Sequence, residues 1–225
     1  MLSVITAYAA PIGDMISLND QIAQGTSDSI LVNDIQTLNS LALAKDQAAQ
    51  QRALLFNAFK QQLFADGVQQ SLITAQSEEL TDLTAFNTAA TAAEQSAYDR
   101  AVSGPQVNEA QNIEVYVLGL PPGTGTLNID QGALGISPTA APGQWYSAQS
   151  GKVDDMQQVE RVVAQNIVAR AQSLQRDAEQ SALITALLTA IILLLVLFAP
   201  IAVARSLVGP LRKLREGALN IATVE

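Results

Sequence analysis

From about Ser29 to Ala65 apolar residues return every three or four positions, the repeat that places side chains on one side of a helix with ~3.6 residues per turn. Stepping alternately four and three from Leu31 gives Leu31, Ile35, Leu38, Ala42, Lys45, Ala49, Arg52, Phe56, Phe59 and Leu63. Asp66 and Gly67 close this run. Val68 to about Ala90 then predicts a second helix, with Leu72, Ala75, Glu79, Leu83 and Phe86 on one side. A third element starts near Thr91, is interrupted at Gly104 and Pro105, and resumes through Val107, Ala110, Ile113 and Val117. The stretch from Pro121 to Gly143 is dense in Gly and Pro and reads as a long loop, with one short extended piece at Thr126 to Ile129. A last helix runs from Trp145 or Ser147 through Gln180, repeating Val153, Met156, Glu160, Val163, Ile167, Arg170 and Leu174. Ahead of Ser29, Met15, Leu18 and Ile22 make a short helical stripe, and Gly25 to Asp28 reads as a break ending in an N-cap residue. The pattern predicts an all-α fold, an antiparallel bundle of four helices around one seam.

The periodicity then gives way to an uncharged run, Ser181 to Ala204, long enough as a helix to cross the ~30 Å hydrocarbon core of a bilayer. With no breaker before Pro200, the last bundle helix is expected to continue into this transmembrane helix as a rigid rod. Residues 1–180 carry 8 basic and 19 acidic side chains, whereas Arg205, Arg212, Lys213 and Arg215 follow the run closely. By the positive-inside rule the C-terminal residues are cytoplasmic and residues 1–180 lie outside the plasma membrane. The opening MLSVITAYAAP lacks a basic region and is too short to span, so a first transmembrane helix is expected upstream. The expected organisation is an N-terminal segment 1–28, an extracellular sensor domain 29–180, a span 181–204 and a cytoplasmic stretch 205–225.

The absence of Cys removes disulfides and thiolate ligands, and the absence of His removes the usual zinc and general-base chemistry. The acidic excess of residues 1–180 argues against nucleic acid and anionic headgroups as partners. No nucleophile–base pair or metal set stands out, so neither catalysis, metal nor cofactor is expected. PPGTGT lacks the Gly-Lys-Ser/Thr of a phosphate loop, and the pairs Glu78-Glu79 and Asp154-Asp155 suit a solvated helix face.

Two of the ten seam positions in the first helix are cations, Lys45 and Arg52, and Arg170 occupies the seam of the last helix. A buried unpaired cation costs several kcal/mol, so each requires an anion or a route to water. Two core-facing guanidinium groups could hold a small planar oxyanion such as nitrate, nitrite or carboxylate. Pairing of the Arg residues with Glu160 or Glu79, or extension of Lys45 to solvent, would account for the same pattern without a ligand.

The blocks VNDIQTLNSLALAKDQAAQQRALLFNAF, AYDRAVSGPQVNEAQ and QWYSAQSGKVDDMQQVE resemble the nitrate- and nitrite-sensing (NIT) domain of actinobacterial sensor histidine kinases. The likeness covers about Ser29 to Gln180 and is most specific at QQRALL. It implies an all-helical domain sensing nitrate or nitrite through Arg side chains and regulating a kinase, cyclase, chemoreceptor or antitermination module. Arg52 matches the family's Arg of the first long helix, Arg170 rests mainly on its place in the seam, and Lys45 has no family role. GPLRKLREGALNIATVE is similar to the first helix of a HAMP linker, with Pro210 ahead of Leu214, Ala218 and Ile221, which implies a parallel homodimer. The expected function is therefore nitrate or nitrite sensing, with Arg52, Arg170 and Lys45 as ligand-binding candidates. Alternatives are a chemoreceptor or cyclase input for another small anion, or a ligand-free dimerisation stalk.

Overall fold

The structure is a computed structural model describing residues 25, 28–121, 125–127, 135 and 137–222, with side chains as far as residue 201. The stripe at Met15 to Ile22 lies outside the described residues, as do residues 122–124, 128–134 and 136 of the Gly- and Pro-rich stretch. Five helices are found among them: α1 Ser29–Gln61, α2 Val68–Ala89, α3 Ala92–Ala101, α4 Pro105–Leu118 and α5 Ala141–Ala222. They form an all-α bundle. The chain divides into two units, residues 1–171 and residues 172–225.

In the first unit each helix end has a local cause. Asp28 caps α1, its carboxylate accepting from the Leu31 amide at 2.8 Å. α1 stops at Gln61, short of the expected Ala65, because Gln62 turns left-handed at φ 51° and its amide closes onto Ala58 and Phe59. Phe64 and Leu127 then exchange amide bonds with Gly125 and Gln62, so Leu63 and Thr126 form a single antiparallel bridge. That bridge accounts for the extended character read at Thr126. Gly67, at φ 78°, turns the chain into α2 through a conformation open to Gly at little cost. The interruption at Gly104 and Pro105 divides the third element into α3 and α4. Gly104 sits at φ 105°, and Pro105 opens α4 where its missing N–H has no partner to lose. Thr91 and Glu94 form a capping box at the start of α3, and Glu94 also accepts from Asn166 of α5 at 3.2 Å. α5 begins at Ala141, four residues before Trp145.

As numbers rise along α1 they fall along its neighbours, the antiparallel arrangement. Leu55 clusters with Leu72 and Leu41 with Phe86, while Arg52 meets Ser150 and Asp28 meets Arg170. The core has two apolar clusters. One gathers Leu55, Phe59, Leu72, Ile113 and Val117 around Trp145; the other gathers Leu41, Ala44, Ala48, Phe86, Met156, Val159 and Val163. A polar layer of Gln51, Glu79, Gln149 and Lys152 separates them along the helices, all buried.

The seam of α1 is displaced from its expected phase. Leu31, Ile35 and Phe59 are buried as expected, yet through the middle the buried positions are Leu41, Ala44, Ala48, Gln51 and Leu55. That set lies one residue, about 100°, around the helix from Ala42, Lys45, Ala49 and Arg52. Lys45 and Arg52 are consequently half-buried at the edge of the apolar stripe. Small Ala44 and Ala48 at the contact leave room for neighbouring side chains.

In the second unit the helix is uncharged from Ser181 to Ile201, with large side chains exposed from Leu183 to Ile201. Its 18-residue apolar window is long and apolar enough to cross a membrane by length and composition. Thr185 and Thr189 hydroxyls donate to the carbonyls four residues back, each at 2.8 Å.

Phe86 fills the second cluster against Tyr98, ring centroids 5.3 Å apart. Phe86→Ala should lower stability by about 3–5 kcal/mol, and Thr91→Ala, which removes the α3 cap, by about 1 kcal/mol. Urea unfolding midpoints of the chain in detergent check both values.

Candidate functional site

The three candidate cations occupy three levels of the α1–α5 interface. Arg170 faces Asp28, its Nη2 2.6 Å from one carboxylate oxygen and its Nε 3.3 Å from the other. Bonding by Arg170 holds the Asp28 carboxyl below the usual carboxylate range, with the Leu31 amide adding to the effect. Lys45 pairs with Glu160. Arg52 donates from Nη1 to the Ser150 hydroxyl at 3.0 Å, and its guanidinium carbon lies 5.1 Å from the centre of the Tyr146 ring. Ser150 and Arg170 are twenty positions apart on one helix, about 30 Å at ~1.5 Å per residue. Arg52 and Arg170 therefore do not share one small-ion pocket within this chain, and Lys45 sits between them.

Arg52 differs from the other two in its partners. A guanidinium has five N–H donors, and among the described residues Ser150 is the one polar side chain that accepts from Arg52. No carboxylate pairs with it there. The acids positioned by the sequence to neutralise it are engaged elsewhere: Glu160 by Lys45, and Glu79 by Lys152 at 2.6 Å. Its surroundings are firmly built. The Trp145 indole donates to the Arg52 carbonyl at 3.0 Å, and Phe56 meets Tyr146 edge to face, centroids 5.5 Å apart. The guanidinium thus lies at the rim of the first apolar cluster, beside an aromatic ring and within reach of water.

Of the polar layer below it, the sequence periodicity brings out Glu79 alone. Lys152 is buried, as is its partner Glu79, which also accepts from Gln51 Nε2 at 2.7 Å. Gln149 donates to the Ala48 carbonyl at 3.0 Å. The side-chain oxygens of Gln51 and Gln149 are buried without a hydrogen-bond partner among the described residues. On α4, Glu114 is buried in the same region, and burial pushes its carboxyl from 4.5 up to about 7, with Glu79 adding and Lys152 opposing. The signal that locates Lys152 is the register of Trp145, Ala148, Lys152, Met156, Val159 and Val163, the buried face of α5.

A family model described as nitrate and nitrite sensing (NIT) matches residues 1–168. The matched segment contains Lys45, Arg52, Ser150 and Lys152 and ends two residues before Arg170. Comparison with curated proteins and with solved structures gives no match.

The raised carboxyl of Glu114 makes stability depend on pH with a definite sign. The folded chain holds this proton more tightly than the unfolded chain, so its contribution is complete below pH 4.5 and is lost as pH rises to about 7. The loss should be roughly 3 kcal/mol. Glu114→Gln should remove this dependence and raise stability at pH 8, measured by urea unfolding at pH 5 and pH 8.

Proposed function

The chain belongs to the nitrate- and nitrite-sensing family, and on that premise we propose that it is the sensor region of a membrane signalling protein with Arg52 as the anion-binding residue. The observation that carries this assignment is that Arg52, unlike Lys45 and Arg170, has no carboxylate partner among the described residues. Nitrate and nitrite are planar, and a guanidinium edge can give either one two parallel N–H···O bonds. The Tyr146 ring and the Ser150 hydroxyl restrain the guanidinium, so little side-chain freedom remains to be lost on binding. Lys45 and Arg170 would take an anion by releasing Glu160 or Asp28, at positions separate from Arg52.

In this reading residues 29–180 are extracytoplasmic, 181–204 cross the membrane, and 205–225 begin a HAMP linker leading to a histidine kinase. Arg52 is on α1 and its contacts Ser150 and Tyr146 are on α5, the helix that also carries the apolar run. An anion drawing on the free N–H groups of Arg52 changes the α1–α5 contact and favours one of two packings. α5 carries the difference inward as a small displacement or rotation. Two copies side by side in the membrane, as HAMP-like helices require, would form a parallel homodimer. A chemoreceptor or cyclase output would use the same input. The ligand-free stalk draws its support from the ion pairs at Lys45 and Arg170.

Nitrate titration of the chain in detergent tests the assignment. Nitrate at a hundredfold excess over its dissociation constant should stabilise the fold by ~2.7 kcal/mol, read as a rise in melting temperature. Arg52→Ala should abolish that rise, whereas Arg161→Ala, on the exposed face of α5, should preserve it. A full response in Arg52→Ala with loss in Arg170→Ala would move the site to the Asp28 end.

Single cysteines placed from Leu187 to Phe198 should crosslink in membranes with helical periodicity. Uniform absence of crosslinks would count against the dimer.

A further inference from the structure

The polar layer opens into a cleft of about 340 Å³ bounded by α2, α3, α4 and Lys152 of α5, a volume in the range of small-molecule sites. Glu114 lines it. That residue is only 7% exposed, and its carboxylate accepts no hydrogen bond among the described residues. Its oxygens therefore meet whatever fills the cleft, and an ionised carboxylate in such a half-apolar setting favours a cation. Glu79 lines the same cleft, but its oxygens are taken by Lys152 and Gln51. Two carboxylates and one ammonium leave a single uncompensated negative charge.

The remaining wall defines the kind of occupant. Leu80, Leu83, Val102, Val115 and Leu118 make one side apolar, and Tyr98 adds an aromatic side chain. A hard divalent cation requires about six or more oxygen ligands, and no cluster of three acidic metal-ligand candidates exists among the described residues. A monovalent charge with a hydrocarbon body matches both the charge count and the apolar lining. We propose that this cleft binds a small organic ammonium ion, its charged end on Glu114 and its body against Leu80, Leu83 and Val115. The site is distinct from Arg52 and takes the opposite charge.

Binding requires Glu114 to be ionised. The groups facing it are Glu79 from α2, Tyr98 from α3 and Lys152 from α5. Since burial pushes Glu114 to about 7, affinity for an ammonium ion should fall about thirtyfold from pH 8 to pH 5.5.

The probe is 2-phenylethylammonium chloride, with neutral 2-phenylethanol as the matched control, titrated against the chain in detergent by calorimetry and thermal shift. At pH 8 the ammonium ion should bind at least tenfold more tightly than the alcohol, and Glu114→Gln should remove that preference. Glu114→Gln preserves side-chain shape and removes a buried charge, so folding should survive. Val115→Lys, at a position 71% exposed, should weaken the ammonium ion severalfold by adding a like charge at the rim. Both variants should keep the nitrate response of Arg52, so failure here and failure of the nitrate assignment are separate results. Equal binding of ammonium and alcohol, unchanged ammonium affinity in Glu114→Gln, or no binding at pH 8 would overturn the proposal, the last leaving a proton as Glu114's sole occupant.

Discussion

The pairing of Lys152 with Glu79 is the constraint on which the rest of the bundle's chemistry depends. A buried lysine must have an anion, and breaking such a pair by removing one partner typically costs about 3–5 kcal/mol. By taking Glu79 at 2.6 Å, with Gln51 bonded to the same carboxylate, Lys152 binds α5, α2 and α1 into one layer. Two residues are left over by that choice. Among the described residues Arg52, one position from Gln51, has no acid to meet, and Glu114 has no base to itself. The open cation and the open carboxylate are thus two results of one buried ion pair.

The position of the layer matters as much as its content. It lies between the Trp145 cluster and the Phe86 cluster, so α1, α2 and α5 each pass from apolar to polar and back to apolar packing. A slip of one helical turn of α5 against α1 or α2 would place Lys152 against hydrocarbon and leave Glu79 unpaired. Polar groups in this position select one register among several that the many Ala contacts would tolerate.

Much of this was legible in the sequence, and the exceptions have physical causes. Helix positions followed from periodicity, and the Gly104–Pro105 interruption from backbone chemistry. The end of α1 was hidden because it depends on a left-handed Gln62 and a bridge to Thr126, sixty-odd residues away, neither of which has a local signature. In α1, Ala residues occur on several faces, so an apolar count could be drawn through Lys45 and Arg52 as readily as through Ala44, Ala48 and Gln51. The true phase follows from which side chains are small enough for contact. Arg52 was found on a stripe that the structure displaces by one residue. Lys152 has no local signature, because a lysine on a helix is ordinarily solvated and its burial depends on Glu79 seventy-three positions away.

Asp28 serves two helices at once. Its carboxylate caps the first turn of α1 and also holds Arg170, near the end of the first unit. An N-cap is a local device, whereas an ion pair to another helix is a tertiary one, and here they share the same two oxygen atoms. The first turn of α1 and the grip on α5 are therefore thermodynamically linked: fraying at Leu31 weakens the hold on Arg170, and release of Arg170 loosens the cap. Asparagine at this position would retain the cap's acceptor and lose the charge. The two roles are separable in chemistry although fused in the native residue, which makes the start of α1 a coupling point between local helix order and the anchoring of the longest helix.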